Sequence, residues 1–326
     1  MKTLQLIAAL PLALGALLAA AGPLDKPECI APAKPGGGFD LTCKLAQQAL
    51  MDRKLISDPM RVTYMPGGIG AVAYNTIVAQ RPADSNTIVA FSGGSLLNLA
   101  QGKFGKYTAD DVKWLAGVGA DYGVIAVYKD SPYKTLKDLL AAVKADPSKI
   151  VFGAGGTVGS QDWMKAALVA KSSGIDYKAM RFVAFEGGGE ATTALQGGHV
   201  QVYAGDASEL AEKLDAGSPF RVLAVMAEKR LPGRLADVPT AMEQGYNIVW
   251  PIIRGFYMGP KVSEADYKAW VDAFAKAMAT PEFEKLRTER GLYPFAMTGP
   301  EFDAYAKRQV KVYGRLVSEF GLNKPQ

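Results

Sequence analysis

Four glycine-rich stretches recur along the chain, and each precedes a stretch of helical character. They are residues 35–40, 66–70, 92–95 and 155–160. Glycine leaves backbone N–H groups uncovered, and a following helix N-terminus adds unpaired donors and the positive end of its dipole. Each stretch could therefore bind an anion, although any one of them taken alone is as readily a tight turn. Four such stretches on consecutive units indicate one shared cleft.

Side chains at the same strand ends narrow the chemistry of this cleft. Arg254 lies among large apolar residues in 250–258, where a buried arginine needs an anionic partner; a surface arginine is the alternative. Asp40 and Asp206 cannot attract a carboxylate, so we expect them to cap a helix or to order a water or a ligand hydroxyl. The hydroxyl donors, which suit carboxylate oxygens, are Ser92, Ser95, Thr157 and Ser160.

The elements that would position these residues alternate between strand and helix. Strand-like stretches at 28–31, 61–65 and 87–91 are each followed by a glycine-rich stretch and a helix, which predicts parallel βαβ units. Two further strands, 113–118 and 124–128, are separated by a glycine-containing segment, where we place a crossing between lobes.

A second series of strands begins near residue 150, and the chain ends in helices. The sequence thus predicts two α/β lobes joined by two crossings, with the ligand between them. The predicted boundaries are 22–122 for the first part of lobe 1, 123–227 for lobe 2, and 228–326 for the return to lobe 1.

The first residues indicate export. Residues 1–21 have the basic start, apolar core and small-residue end of a cleaved signal peptide, which predicts a soluble exported protein. Cys29 and Cys43 are the only cysteines, and in an exported protein we expect them to form a disulfide. A redox or metal pair is the alternative, but the spacing fits neither.

Composition and motifs exclude several functions. The net charge of +5 comes from scattered residues, which does not indicate nucleic-acid binding. The single histidine, His199, lacks partners for metal binding or catalysis, and residues 35–40 lack the spacing of a dinucleotide-binding loop. We therefore predict no cofactor, no metal and no enzymatic activity, with an exported hydrolase or lyase as the alternative.

Several stretches together resemble one family, the periplasmic substrate-binding proteins of tripartite tricarboxylate transporters. They are residues 35–40, 64–70, 183–190 and 223–246. The resemblance covers essentially the whole mature chain. It implies a type II periplasmic binding-protein fold, in which each lobe is a mixed sheet flanked by helices and the lobes close on a small carboxylate. It also implies delivery of the ligand to a two-subunit membrane permease, and we expect the receptor to be a monomer.

Further details resemble the citrate and tricarboxylate branch of this family. Phe39 stands where many members carry threonine, and residues 250–256 include Arg254; residues 29–43 and 91–98 also fit that branch. The alternative is a receptor for another carboxylate, such as a dicarboxylate, an amino acid or an aromatic acid, which serves a permease or a sensor kinase. The residues predicted to contact the ligand are Gly37, Gly38, Phe39, Asp40, Gly68, Gly70, Ser92, Gly94, Ser95, Thr157, Gly159, Ser160, Asp206 and Arg254.

Overall fold

The computed structural model describes residues 24–211, 213–214 and 217–322. The signal peptide predicted for residues 1–21 lies outside this part of the chain. Within it, no helix is both long enough and apolar enough to cross a membrane.

Strands and helices alternate through most of the described chain. The strands are β1 (Glu28–Ala31), β2 (Arg61–Tyr64), β3 (Thr87–Ser92), β4 (Lys113–Tyr128), β5 (Val151–Gly155), β6 (Arg181–Phe185), β7 (Val202–Asp206), β8 (Phe220–Met226), β9 (Pro251–Met258) and β10 (Met297–Thr298). The helices are α1 (Gly38–Asp52), α2 (Ala71–Gln80), α3 (Gly93–Ala100), α4 (Leu136–Ala145), α5 (Gln161–Ser172), α6 (Gly188–Gln196), α7 (Ala207–Ala211), α8 (Glu264–Met278), α9 (Pro281–Glu289) and α10 (Gly299–Glu319).

The first lobe is built on a mixed sheet. Its strand order is β2-β1-β3-β9-β4, in which β1 pairs parallel with β2 and β3, whereas β9 is antiparallel to β3 and β4. All six residues of β3 are buried, as expected for a central strand that is covered on both faces of the sheet. The predicted βαβ units are therefore confirmed in this lobe.

The second lobe has the same kind of sheet. Its strand β5 pairs parallel with β6 and β7, and β7 and β8 are antiparallel to β4. Helix α4 covers this lobe with Leu136, Leu139, Leu140 and Val143, and a capping box between Thr135 and Asp138 begins it. Two mixed sheets flanked by helices agree with the predicted fold class.

The long strand β4 corrects the sequence prediction. We expected two strands separated by residues 119–123, but the structure has one strand of 16 residues that belongs to both sheets. Its glycines make room for side chains, because a Cβ at Gly117 would lie 2.5 Å from the ring of Phe302 and one at Gly123 would lie 2.8 Å from Met226. The pairing partner changes from β9 to β7 and β8 at Gly123. The exact lobe boundaries stay a prediction.

A second correction concerns residues 92–95, which the sequence predicts as a loop. In the structure β3 ends at Ser92, and Gly93 already begins α3, so Gly94 and Ser95 lie in the first turn of a helix. Ser92 and Ser95 form a capping box, which explains why a strand can lead directly into a helix here.

The C-terminal helices cover the first lobe. Helix α8 packs on α1 and β4, and buries Trp270 and Phe274 there, while α10 packs on α3 and β4. Both helices thus contact elements of the first-lobe sheet, and the assignment of residues 228–326 to lobe 1 stays a prediction.

The predicted disulfide is confirmed. Cys29 in β1 is bonded to Cys43 in α1, with a Cα–Cα distance of 5.7 Å. It ties both ends of the glycine loop at 35–38 to the sheet, since β1 precedes this loop and α1 follows it.

Replacing both cysteines by serine should lower the free energy of unfolding by about 3 kcal/mol, because the disulfide closes a short loop and restricts the unfolded chain. Urea unfolding of the mature wild type and of the Cys29→Ser/Cys43→Ser variant measures this difference. Added reductant should bring the wild type to the midpoint of the variant and leave the variant unchanged. Equal midpoints of the oxidised wild type and the variant would contradict the prediction.

Candidate functional site

A small cavity lies where helix N-termini from both lobes meet. Helices α1 and α3 reach it from the first lobe, and α5 and α6 reach it from the second. Its volume is about 30 Å³, which is enough for roughly two water molecules. The predicted site residues that line it are Gly37, Gly38, Phe39, Ser92, Gly94, Ser160, Asp206 and Arg254.

A large cavity of about 360 Å³ adjoins the small one. Ile69, Asn98 and Ser160 line both cavities. The predicted residues Gly68 and Thr157 line only the large cavity, together with Lys34 and Lys103, which the sequence analysis did not single out. The two cavities thus contain ten of the fourteen predicted residues: the eight in the small cavity plus Gly68 and Thr157.

The other four predicted residues line neither cavity. Gly70, in a left-handed conformation, precedes α2 and faces Phe104, and Ser95 belongs to the capping box of α3. The Gly159 carbonyl accepts a hydrogen bond of 2.7 Å from Nε2 of Gln101. Their predicted contact with a ligand stays a prediction.

Asp40, the last of these four, holds the first glycine loop in place. Its buried carboxylate accepts hydrogen bonds from the Gly36 N–H at 2.8 Å, from Nζ of Lys44 at 2.9 Å and from the Tyr64 hydroxyl at 2.9 Å. Asp40 lies in the first turn of α1, so the bond to Gly36 joins this turn to the loop before it.

Arg254 has its anionic partners within the protein. The side chain is 1% exposed, and Nε and Nη2 donate to Oδ2 of Asp121 at 2.9 and 2.7 Å. Nη2 also donates to Oδ2 of Asp206 at 2.6 Å. The guanidinium group packs on the Cα of Gly38, where a Cβ would overlap Nη1. The expected burial and ion pairing of Arg254 are therefore seen, with protein carboxylates as the partners.

A second buried cation, Lys165 in α5, completes an ion network. Its ammonium group donates to Oδ1 of Asp162 at 2.7 Å and also to Oδ1 of Asp206. Asp206 thus bridges Lys165 and Arg254. Because removing one member would leave an uncompensated buried charge, the network fixes β9, β7 and α5 relative to one another.

Glu209 brings a further carboxylate to this site. Oε1 accepts a hydrogen bond of 2.7 Å from the Gly38 N–H at the N-terminus of α1, and Oε2 accepts one from the Tyr203 hydroxyl. Glu209 is 8% exposed and packs so closely on α6 that a Cβ at Gly188 would overlap Oε2. An acidic side chain of the second lobe therefore occupies the anion-binding end of a first-lobe helix.

The site contains more carboxyl groups than cations. Asp121, Asp162, Asp206 and Glu209 stand against Lys165 and Arg254, so four negative and two positive charges would give −2 if all were ionised.

Protonation relieves part of this charge. Burial raises the pKa of Asp162 to about 7 despite the nearby Lys165 ammonium. Burial also raises the pKa of Asp121 and of Glu209. Burial opposes ionisation of Asp206 too, but the charges of Lys165 and Arg254 outweigh it and hold its pKa below the ordinary value.

Sequence reasoning did not find Asp121, Gln161, Asp162, Lys165 or Glu209. Asp162 and Lys165 lie in the first turns of a helix, where an acidic residue and a lysine are ordinary. The usable signal was Asp206 at the end of a strand, with Glu209 three residues later.

No group of three or more histidine, cysteine, aspartate or glutamate side chains in the described chain has the arrangement of a metal site.

Gly38→Ala should lower the free energy of unfolding by about 1–3 kcal/mol, because the new methyl group would displace the Arg254 guanidinium. Gly314→Ala is the matched control, since a Cβ there meets no atom within 4 Å and alanine favours the helix α10. Chemical denaturation should show the control as stable as the wild type or more so. A Gly38→Ala protein of wild-type stability would show that the guanidinium does not need this contact.

The pH dependence of stability should report the raised pKa of Asp162. Between the ordinary pKa of 3.8 and about 7, the folded protein keeps a proton that the unfolded chain has lost. This group therefore lowers stability as pH rises through that window. Asp162→Asn removes the titration, so the stability deficit of the variant relative to the wild type should shrink from about pH 4.5 to pH 7.

Asp146→Asn serves as the control for this measurement, because hydrogen bonds from Ser148 lower the pKa of that exposed carboxyl. Its effect should stay constant over the same pH range. Thermal or urea unfolding across this pH range measures the stability deficit of each variant. A deficit of Asp162→Asn that also stays constant with pH would contradict the raised pKa of Asp162.

Comparison with known proteins places this chain in a family. Residues 45–322 match the model of the tripartite tricarboxylate transporter family receptor. A curated relative from Cupriavidus necator, named "UPF0065 protein in gbd 5'region", is 28% identical over 301 residues, which cover 89% of this chain and 86% of the relative.

Solved structures show the same fold at low identity. The periplasmic binding protein BugD has a TM-score of 0.81 at 19% identity, covering 92% of this chain and 99% of its own. MatC from Rhodopseudomonas palustris with bound malate has a TM-score of 0.78 at 20% identity, covering 90% and 99%. Rpa4515 from R. palustris with adipate has a TM-score of 0.79 at 16% identity, covering 91% and 97%. The two-lobed fold agrees with these structures, and the chain belongs to the tripartite tricarboxylate transporter receptor family.

Proposed function

We propose that this chain is a periplasmic solute receptor that binds a small carboxylate between its lobes and delivers it to a two-subunit membrane permease. The observation that carries the proposal is the convergence of four helix N-termini, two from each lobe, on adjoining cavities. Such ends favour anionic groups, and they come together only when the lobes meet. Two structures of the same fold, MatC with malate and Rpa4515 with adipate, support a carboxylate ligand.

The large cavity is the better place for the ligand's carboxylate. Thr157 contributes a hydroxyl group and Lys103 an ammonium group, whereas the Ser160 hydroxyl already donates to the Gly155 carbonyl at 2.9 Å. Nζ of Lys103 donates to the Val158 carbonyl at 3.1 Å, and no carboxylate of the described chain lies within ion-pair distance. Although the side chain as a whole is exposed, partial burial of its ammonium group lowers the pKa of Lys103. A ligand carboxylate would supply the missing counter-charge.

Contacts between the lobes support a closed, ligand-holding form. Nζ of Lys34 pairs with Glu190 at 2.8 Å, and Gln101 donates to the Gly159 carbonyl at 2.7 Å. These bonds join the loops that enclose the large cavity. Closure of this kind would trap the ligand and present one surface to the permease.

Two arguments bear on which carboxylate is bound, one from the sequence and one from the charge of the small cavity. The sequence resemblance predicts citrate or a related tricarboxylate, and this stays a prediction. The small cavity, with its excess of carboxyl groups, would repel a ligand that brought three more negative charges close to it. Mono- and dicarboxylates, aromatic acids and amino acids are therefore tested beside citrate.

Calorimetric titration of the mature protein, stripped of any co-purified ligand, tests the proposal. The panel is citrate, tricarballylate, succinate, malate, adipate, glutamate and terephthalate. We expect saturable 1:1 binding of at least one carboxylate, and mass spectrometry should recover that ligand unchanged. Turnover of the bound compound would favour the exported hydrolase or lyase instead. A panel without any binding would count against a carboxylate receptor.

Lys103→Met should weaken binding of the best carboxylate at least tenfold, because a charge-assisted hydrogen bond contributes about 1.5–3 kcal/mol. Lys106→Met is the matched control, since Lys106 lies three residues away, is exposed and lines neither cavity. Calorimetry should give wild-type affinity for this control. Equal affinities of both variants would remove Lys103 from the ligand site.

A further inference from the structure

Both buried cations of the small cavity already have partners. Arg254 is held by Asp121 and Asp206, and Lys165 by Asp162 and Asp206. A carboxylate that entered the small cavity would have to compete with these protein carboxylates for the same donors. The two cations therefore neutralise carboxylates of the protein itself, and no unpaired positive charge remains in the small cavity for a ligand.

The N-terminus of α1 is occupied as well. The Gly38 N–H, which would otherwise face the cavity, donates to Oε1 of Glu209 at 2.7 Å. The Tyr203 hydroxyl and close packing on Gly188 also hold Glu209 in place. Its carboxylate therefore has a fixed position in the site. It supplies the anion that this helix end favours.

Two buried acceptors in the same cavity have no hydrogen-bond donor. They are Oε1 of Gln161 and Oδ1 of Asn98, whose residues are 9% and 3% exposed. Nε2 of Gln161 points to Asp206 at 3.3 Å, which leaves its oxygen as the end that needs a donor. Buried acceptors of this kind are normally paired, so a ligand with N–H groups would complete the site.

The two cavities thus differ in polarity. The small cavity and its ion network have four carboxyl groups against two cations, with the unpaired oxygens of Gln161 and Asn98. In the large cavity the charges are even, since Lys34 and Lys103 stand against Glu186 and Glu190, although Oε2 of Glu186 is also without a donor. They adjoin at Ser160 and Asn98, so one small molecule can reach both. A volume of about 30 Å³, enough for roughly two water molecules, has room for a small group such as an ammonium.

We propose that the ligand is a zwitterion of the amino-acid class, which places its ammonium group in the small cavity near Glu209 and Gln161 and its carboxylate in the large cavity near Lys103. This inference rests on the proposed function, and it names the ligand class of that site. Glu209 is the residue that determines specificity, because it turns an anion-binding helix end into an acceptor for a cation.

Matched pairs of ligands test this inference, each pair differing only in the amino group. The pairs are aspartate and succinate, glutamate and glutarate, 2-aminoadipate and adipate, and phenylalanine and 3-phenylpropionate, with citrate added. Calorimetry on the mature protein should show that the amino compound of the best pair binds at least tenfold more tightly.

If an amine-free acid or citrate binds as tightly or more tightly, the zwitterion inference is overturned while the receptor function stands. If no acid of either series binds, both the function and the inference are overturned.

Glu209→Gln tests the role of this side chain. The amide keeps an oxygen for the Gly38 N–H but removes the negative charge, so the preference for the amino compound should fall at least tenfold. Glu243→Gln is the control, because Glu243 pairs with Arg230 and lines neither cavity. An unchanged preference in a Glu209→Gln protein with a wild-type melting temperature would overturn the role assigned to Glu209, and the ligand pairs decide the ligand class without this variant.

Discussion

The buried carboxylate of Asp206 is the contact on which the site depends. It lies at the end of β7 in the second lobe, yet it accepts from Arg254 of β9 in the first lobe and from Lys165 of α5. Asp121, on the strand β4 that both sheets share, holds the other side of the Arg254 guanidinium. Because these charges are buried, none can be withdrawn without leaving another unpaired, and the elements that carry them keep one arrangement.

This network explains the glycines around it. Gly38 leaves room for the Arg254 guanidinium, and Gly188 leaves room for the Glu209 carboxylate. Between the lobes, a Cβ at Gly189 would lie 2.6 Å from the carbonyl carbon of Gly36. The glycine loops therefore let two lobes approach backbone to backbone, in addition to exposing N–H groups. The disulfide between Cys29 and Cys43 fixes the first of these loops to its sheet.

The sequence predicted the elements better than the chemistry of the cleft. The strands predicted at 28–31, 61–65 and 87–91 agree with β1, β2 and β3 to within one residue, because a glycine-rich stretch follows each of them in the sequence. The break expected in β4 was wrong, because its glycines serve packing partners that come from distant parts of the chain, such as Phe302 and Met226. A local pattern cannot distinguish a glycine that ends a strand from one that makes room for a ring.

The ion pairs of the cleft also could not be predicted from local sequence patterns. Arg254 could be predicted as buried from its apolar neighbours, but its partners Asp121 and Asp206 are 133 and 48 residues away. Glu209 lies next to Gly38 only because the lobes meet, over a separation of 171 residues. Pairings of this kind come from the tertiary fold, which is why the sequence suggested a cleft for anions, whereas the structure has four buried carboxyl groups around the two buried cations.

The crystal structure of the protein purified with its natural ligand would test this account most directly. We expect density for one small molecule across the two cavities, with a carboxylate within hydrogen-bond distance of Lys103 and with Glu209 still bonded to the Gly38 N–H. A ligand carboxylate that replaces Glu209 at the N-terminus of α1, or a ligand bound outside both cavities, would contradict it.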